Sequence, residues 1–256
     1  MSATGMRKID PGHNADPYMD ERVDLAAAFR WSARLGFNEG VANHFSLAVS
    51  DDGGRFLMNP NGRHFSRVKA SELLLLDANR APDPADPAAP DPTAWCIHGA
   101  IHRRVPRARC VLHLHMRHIT ILAALADSAI PPIDQNTMRF FGRVAIDEHF
   151  PGMALDDAEG ERLAGLLAEH DIAILGNHGV VVTGPTVARA FDELYYLERA
   201  AETVVQAYQT GRELRVAPPE VAARTARQWL DYPNLADRHF TELKAILDDE
   251  APDYRA

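Results

Sequence analysis

Several features are scarce or absent in this sequence, and each absence excludes a class of protein. The chain has only two cysteines, Cys96 and Cys110, which form neither a Cys-x-x-Cys motif nor a disulfide framework. No run of 18 apolar residues occurs, so we predict no transmembrane helix and no membrane partner. Lysine and arginine (27) are outnumbered by aspartate and glutamate (36) and form no cluster, so we expect no nucleic-acid partner.

The N-terminal residues also lack the apolar core of a secretion signal. They are polar and contain Gly5, Pro11, Gly12 and Pro17, so we predict a flexible arm over residues 1–18. Together with the scarcity of cysteine, this favours a cytoplasmic location. A hydrophobic fraction of 46% is ample for a core, and we predict one domain over residues 19–256 that ends in C-terminal helices.

Helical and strand patterns alternate along this domain, which is typical of an α/β or α+β layered fold. Helices are predicted at 20–35, 94–104, 119–126, 156–169, 186–210, 220–230 and 234–247. Strands are predicted at 41–50, 56–58, 73–76, 111–115, 144–146, 172–175 and 180–182. Asp20 and Thr93 are expected to cap the first two helices. Residues 79–92 hold five prolines, and we interpret them as a surface excursion within the domain.

Two histidines, with one residue between them, lie in the predicted strand 111–115. Side chains two apart in a strand share a face, so His113 and His115 can hold one metal ion between them. A third histidine, His178, lies in a Gly-flanked corner between two apolar runs. Three histidines with one open position are typical of a catalytic metal site. The alternative is that they are ordinary hydrogen-bonded histidines.

These histidines and their surroundings resemble the class II aldolase/adducin family over about residues 20–215. The motifs that carry the resemblance are 40–46, 59–62, His98, 113–115 and 177–179. The resemblance implies a three-layer αβα fold with a central, mostly antiparallel sheet. It also implies a homotetramer with sites near subunit interfaces, and a divalent metal on His113, His115 and His178. Zinc is the expected metal, and iron, manganese and cobalt are the alternatives.

The sequence departs from the family pattern where phosphosugar aldolases hold the substrate phosphate. The corresponding positions are 43–46, 61–62 and 92–93, and part of their hydroxyl and amide donors is replaced here. An imidazole and a guanidinium are available instead, and both can meet a carboxylate. We therefore predict a small carboxylic acid substrate, bound by His44, Asn61, Gly62, Arg63 and Thr93. The alternative is that these are solvated loop residues.

A second departure concerns proton transfer. The position of the family's catalytic glutamate is Ala94 here, and that of its catalytic tyrosine is Gln135. A methyl group cannot carry a proton, so the aldol mechanism of the family is not available in its usual form. His98, His102 and His118 are the proton-transfer candidates that remain, and His98 and His118 are the predicted catalytic residues.

The resemblance and its departures together predict a metal-dependent carbon–carbon lyase. Decarboxylation of a hydroxy/keto or dihydroxyaromatic acid needs fewer proton transfers than aldol cleavage, so a decarboxylase is the first hypothesis. The metal would chelate the substrate and stabilise the enolate or phenolate. Three alternatives stay open: an aldolase or dehydratase that uses a histidine as acid and base, an iron-dependent oxidative decarboxylase, and a non-catalytic adducin-like module.

Overall fold

The computed structural model describes residues 16–83 and 85–256, so the predicted N-terminal arm lies almost wholly outside the described residues. The helices are α1 (Met19–Arg34), α2 (Pro92–Arg104), α3 (Arg117–Ala123), α4 (Gln135–Arg139), α5 (Asp157–Leu166), α6 (Val187–Gln209), α7 (Pro219–Asp231) and α8 (Leu235–Glu250). The strands are β1 (His44–Ala48), β2 (Arg55–Met58), β3 (Leu74–Asp77), β4 (Cys110–Leu114), β5 (Val144–Asp147), β6 (Ile172–Leu175) and β7 (Gly179–Gly184).

All of these strands belong to one sheet with the order β3-β2-β1-β4-β7-β6-β5. Every neighbouring pair is antiparallel except β5 and β6, so the predicted mostly antiparallel sheet is confirmed. The strand with the His-x-His motif, β4, lies in the middle between β1 and β7. Its register places His113 opposite His44 on one side and opposite Val181 on the other.

Helices cover both faces of the sheet, which confirms the three-layer arrangement. On one face, Leu112 of β4 joins a core with residues of α1, α3, α6 and α8. On the other face, Val111 of β4 packs with residues of α2 and α5, including Ile97 and Leu163. Because side chains alternate along β4, His113 lies on the same face as Val111, beneath α2.

The caps predicted for the first two helices were wrong. Asp20 lies within the first turn of α1, and Tyr18 takes the cap position without a side-chain hydrogen bond. Helix α2 is capped by Asp91, whose carboxylate accepts from the backbone N–H of Thr93 at 2.9 Å. Pro92 fills the first helical position, where no backbone donor is needed, and so the helix begins before Thr93.

The sequence patterns also missed the short helix α4. Asp134 and Thr137 bracket its first turn: the Asp134 carboxylate accepts from the Thr137 N–H at 2.7 Å, and the Asp134 N–H donates to the Thr137 hydroxyl at 2.9 Å. This reciprocal capping compensates for the short length of the helix.

Across residues 16–83 and 85–256, no helix combines the length and apolarity needed to cross a bilayer.

Candidate metal centre

The structure brings the three predicted metal ligands together at one end of the central strands. His113 lies in β4, His115 directly follows it, and His178 lies in the turn between β6 and β7. Asn177 adopts a left-handed conformation (φ 57°), which allows this turn to be tight. One nitrogen from each of the three rings lies within 4.8 Å of the others.

Hydrogen bonds at the Nδ1 atom orient two of these rings. His113 Nδ1 lies 3.0 Å from the Val180 carbonyl oxygen, and His115 Nδ1 lies 2.6 Å from Glu39 Oε2. Because both partners are acceptors, each Nδ1 carries the hydrogen and each Nε2 keeps its lone pair. The two Nε2 atoms are 3.2 Å apart, so both lone pairs converge on one place. Partners of this kind are typical of metal-bound histidines, and the residues therefore fit a divalent metal ion.

Burial keeps two of the three rings, those of His113 and His178, uncharged. It lowers the pKa of His113 well below its usual value, and nearby histidines lower it further. Burial, together with the proximity of His115, lowers the pKa of His178 to about 4. Since the neutral imidazole is the form that ligates a metal, these two rings are ready to bind at neutral pH.

A cavity of about 260 Å³ opens on the cluster. Its polar lining consists of the three histidines together with His44, Asp91 and Thr93. Its apolar lining consists of Ala42, Ile97, Phe150, Met153 and Ala154. Within the described chain, this lining includes no lysine or arginine, so the cavity offers a phosphate no cationic side chain.

The predicted substrate-binding residues separate into two groups. His44 and Thr93 line the cavity. Asn61 and Gly62 lie exposed in the turn after β2, outside the cavity lining, and Gly62 has a positive φ of 70° that directs this turn. The Arg63 guanidinium pairs with the Glu72 carboxylate, with Nε and Oε2 3.0 Å apart, so its charge is already matched.

The two predicted catalytic histidines also lie outside the cavity lining. His98 is buried in α2 behind His44, with the His44 Nδ1 and His98 Nε2 atoms 2.8 Å apart. His118 lies at the start of α3, where its ring and its backbone N–H both contact the Glu198 carboxylate at 2.8 Å. This carboxylate also accepts from the Ile119 N–H, so Glu198 serves as the cap of α3. A catalytic role for either histidine stays a prediction.

Sequence reasoning missed four residues that shape the site: Glu39, Asp91, Phe150 and Met153. Asp91 had a readable signal, because an aspartate directly before a proline is a common helix start. Glu39 lies in the loop before β1, and Phe150 and Met153 lie in the loop between β5 and α5. No local pattern indicates that residues so far apart in the chain share one cavity.

Comparison with known proteins agrees with this fold. A sequence profile described as Class II Aldolase and Adducin N-terminal domain matches residues 23–205, more than half of the chain. The chain belongs to the class II aldolase and adducin family. Class II aldolases use a divalent metal ion, and the three-histidine group provides a suitable set of ligands.

Two relatives and one solved structure illustrate the range of this family. Decarboxylase NovR from Streptomyces niveus is 30% identical over 218 residues, covering 83% of this chain and 80% of that protein. The 4-hydroxy-3-prenylphenylpyruvate oxygenase/4-hydroxy-3-prenylbenzoate synthase from Streptomyces roseochromogenus is 29% identical, covering 83% and 78%. An aldolase II superfamily protein from Pseudomonas syringae has a TM-score of 0.85 and 33% identity, covering 95% and 98%.

Proposed function

We propose that this protein is a metal-dependent carbon–carbon lyase that decarboxylates an unphosphorylated hydroxy/keto or dihydroxyaromatic carboxylic acid. The observation that carries the proposal is the composition of the cavity. Convergent histidines form its polar end, apolar side chains form its other wall, and lysine and arginine are missing from its described lining. Such a site suits a substrate with two adjacent oxygens and an apolar body better than a sugar phosphate.

The chain's own residues hold and orient this substrate. His113, His115 and His178 would hold the divalent metal, which supplies a Lewis acid for two adjacent substrate oxygens. His44 lines the cavity next to His113, with ring centroids 4.8 Å apart, and would contact the substrate carboxylate. Phe150, whose ring centroid lies 5.9 Å from that of His178, would pack on the apolar body and exclude water.

The residue at the position of the family's glutamate favours decarboxylation over aldol cleavage. Ala94 is buried and offers no acid or base. Aldol cleavage must remove a proton from a hydroxyl and return one to carbon. Loss of carbon dioxide leaves an electron pair on carbon that requires only one returning proton, so it makes the smaller demand on this site.

The names of the two Streptomyces relatives support this class of substrate. One is called a decarboxylase, and the other is named for its action on a phenylpyruvate, which is an aromatic keto acid. The second name includes an oxygenase, and it therefore favours oxygen-dependent decarboxylation as a second candidate function. The apolar wall with Phe150 and Met153 is compatible with an aromatic ring in either reaction.

The test measures carbon dioxide and oxygen together. The protein is loaded in turn with zinc, iron(II), manganese or cobalt and incubated with aromatic and aliphatic keto and hydroxy acids, with and without oxygen. We expect metal-dependent release of carbon dioxide that is lost in His113→Ala and His178→Ala. Release of an aldehyde without carbon dioxide would indicate an aldolase, and oxygen uptake would indicate the oxidative reaction. If the unaltered protein binds no more metal than the folded His113→Ala and His178→Ala variants, the result would favour a non-catalytic adducin-like module.

We also propose a homotetramer with sites near subunit interfaces, zinc as the metal, and a cytoplasmic location. The first two rest on membership of the family. Light scattering on the purified protein measures the mass of the assembly, and elemental analysis identifies the metal. A chain mass of 28.3 kDa predicts an assembly of about 113 kDa, four times the single chain.

A further inference from the structure

A chain of hydrogen bonds runs from the cavity into the interior of the protein. His44 Nδ1 lies 2.8 Å from His98 Nε2, and His98 Nδ1 lies 2.5 Å from the Ser46 hydroxyl. The same hydroxyl lies 2.7 Å from His102 Nε2. All four side chains are at most 3% exposed, and only His44 is part of the cavity lining.

Two regular elements hold this chain in place. His44 and Ser46 lie two residues apart in β1 and therefore share a face. His98 and His102 lie four residues apart in α2 and share a face of the helix. The four side chains interlock across the space between strand and helix, so none can rotate without breaking a buried hydrogen bond.

The three imidazoles in this chain of hydrogen bonds are neutral. Burial lowers the pKa of His102 to about 3 and that of His98 well below the usual value, and the His44 ring is buried against His98. Each neutral imidazole has one N–H and the serine has one O–H, which gives four hydrogens for three bonds. One hydrogen is therefore left at an end of the chain, either on His44 Nε2 or on His102 Nδ1.

The surroundings of His102 decide between these ends. Its Nδ1 is buried and has no hydrogen-bond partner among the described residues. A buried N–H without an acceptor is rarer and costlier than a buried acceptor without a donor. The remaining hydrogen therefore belongs on His44 Nε2, and all three histidines carry their hydrogen on Nε2.

We propose that Ser46, His98 and His102 are positioning residues that hold His44 as a neutral Nε2–H donor for the substrate carboxylate. In this role, which rests on the proposed function, His44 donates a hydrogen bond and transfers no proton. The His44 Nδ1 is already occupied by His98, so Nε2 is the ring nitrogen left for the cavity. The neutral donor recognises an oxygen acceptor without requiring a positive charge, which explains how a cavity lined without lysine or arginine can select an acid.

If this chain of hydrogen bonds ran in the opposite direction, His44 would have a different role. If every hydrogen bond pointed the other way, His44 Nε2 would present a lone pair, and His44 would act as a base or as a further metal ligand. The direction of the chain is therefore a measurable property that decides the role of His44.

Nuclear magnetic resonance measures this direction without any turnover. Protein labelled with ¹⁵N-histidine and loaded with diamagnetic zinc is recorded by long-range ¹H–¹⁵N correlation, and single histidine variants assign the signals. We expect His44, His98 and His102 all as neutral Nε2–H tautomers. Nδ1–H at His44 would overturn the proposal. Because zinc-free protein gives the same readout, failure of the proposed enzyme function would not disturb this result.

Two buried serines, Ser46 and Ser32, provide a test variant and its matched control. Ser46→Ala removes the central link, so His44 should populate both tautomers, and KM for the acid should rise by about tenfold, with kcat changing less. Ser32 is another fully buried serine, and its hydroxyl has no partner in the described chain, so Ser32→Ala should change neither property. Equal spectra and equal KM values in the two variants would contradict the positioning role. If Ser46→Ala fails to fold, the tautomers of the unaltered protein decide by themselves.

Discussion

Two of the candidate metal ligands, His113 and His115, depend on the group that orients the ring. A backbone carbonyl orients His113, whereas a single side chain, Glu39, orients His115. The Glu39 side chain is 67% exposed, so its removal should affect the site more than the fold. Glu39 therefore allows the contribution of orientation to be separated from that of the ligands themselves.

We expect Glu39→Ala to weaken metal binding by about 10- to 100-fold, because His115 loses the acceptor that holds its Nδ1–H. Competition with a chelating dye measures the affinity. Glu213→Ala, at an exposed position on a loop, is the control and should bind metal normally. Equal affinities in the two variants would show that His115 needs no orienting partner.

At the scale of elements, the loop between β5 and α5 forms the apolar side of the cavity mouth. Met153 is 72% exposed and lines the cavity, whereas Leu155 is 63% exposed and does not. An exposed methionine at a cavity mouth gains apolar contact when a ligand covers it. The two residues differ in their relation to the cavity but hardly in exposure, which makes them a matched pair.

We expect Met153→Ser to raise KM for the acid substrate by about five- to tenfold with little change in kcat, because apolar contact with the bound substrate is lost. Leu155→Ser should leave KM unchanged. Steady-state kinetics and thermal unfolding of both variants provide the measurement. A rise in KM for Leu155→Ser as well would point to a general effect on the loop.

Helix packing behind the cavity depends on a close approach between α2 and α5. A Cβ atom added at Gly160 would lie 2.2 Å from the backbone oxygen of Cys96, so only glycine fits there. Gly165, in the same helix, has no atom within 4 Å of such a Cβ. The two glycines in α5 thus have opposite constraints.

We expect Gly160→Ala to lower the free energy of unfolding by at least about 1–3 kcal/mol, since α5 must move away from α2. Gly165→Ala should raise it by about 0.5–1 kcal/mol, because alanine favours the helix. Urea unfolding of both variants checks the difference in sign. A neutral Gly160→Ala would mean that the two helices separate without cost.

At the scale of the whole molecule, the buried neutral histidines couple stability to pH. His102 has a pKa of about 3 in the folded state because of burial, and an unfolded histidine titrates near 6.5. Between these values the unfolded chain binds more protons than the folded protein. The stability that the neutral His102 contributes is therefore complete above about pH 6.5 and is lost as the pH falls towards 3.

We expect His102→Leu to reduce the loss of unfolding free energy between pH 6.5 and 4.5 by about 2 kcal/mol, because one titrating group is removed. Urea unfolding at several pH values measures this slope, which does not depend on the absolute stability of the variant. The control is His170→Gln, at a half-buried position on the loop before β6. Identical slopes in all three proteins would show that His102 is not a source of the acid sensitivity.

The sequence by itself determined the family, the layered fold and the three histidines of the candidate metal centre. These properties depend on local periodicity and short motifs: alternation along 111–115 places His113 and His115 on one side, and Gly-flanked residues hold His178 in a turn. The approximate positions of most helices and strands followed in the same way, because apolar spacing depends on near neighbours in the chain.

Only the tertiary structure decided which other residues share the site. Arg63 was expected at the substrate but pairs with Glu72, whereas Asp91 and Met153 line the cavity. The direction of hydrogen bonding between His44 and His102 likewise depends on burial and on partners that β1 and α2 bring together. Such contacts join residues far apart in the chain, and local patterns carry no information about them. Short sequence motifs therefore identify the candidate metal ligands, whereas the tertiary fold determines which residues face the substrate.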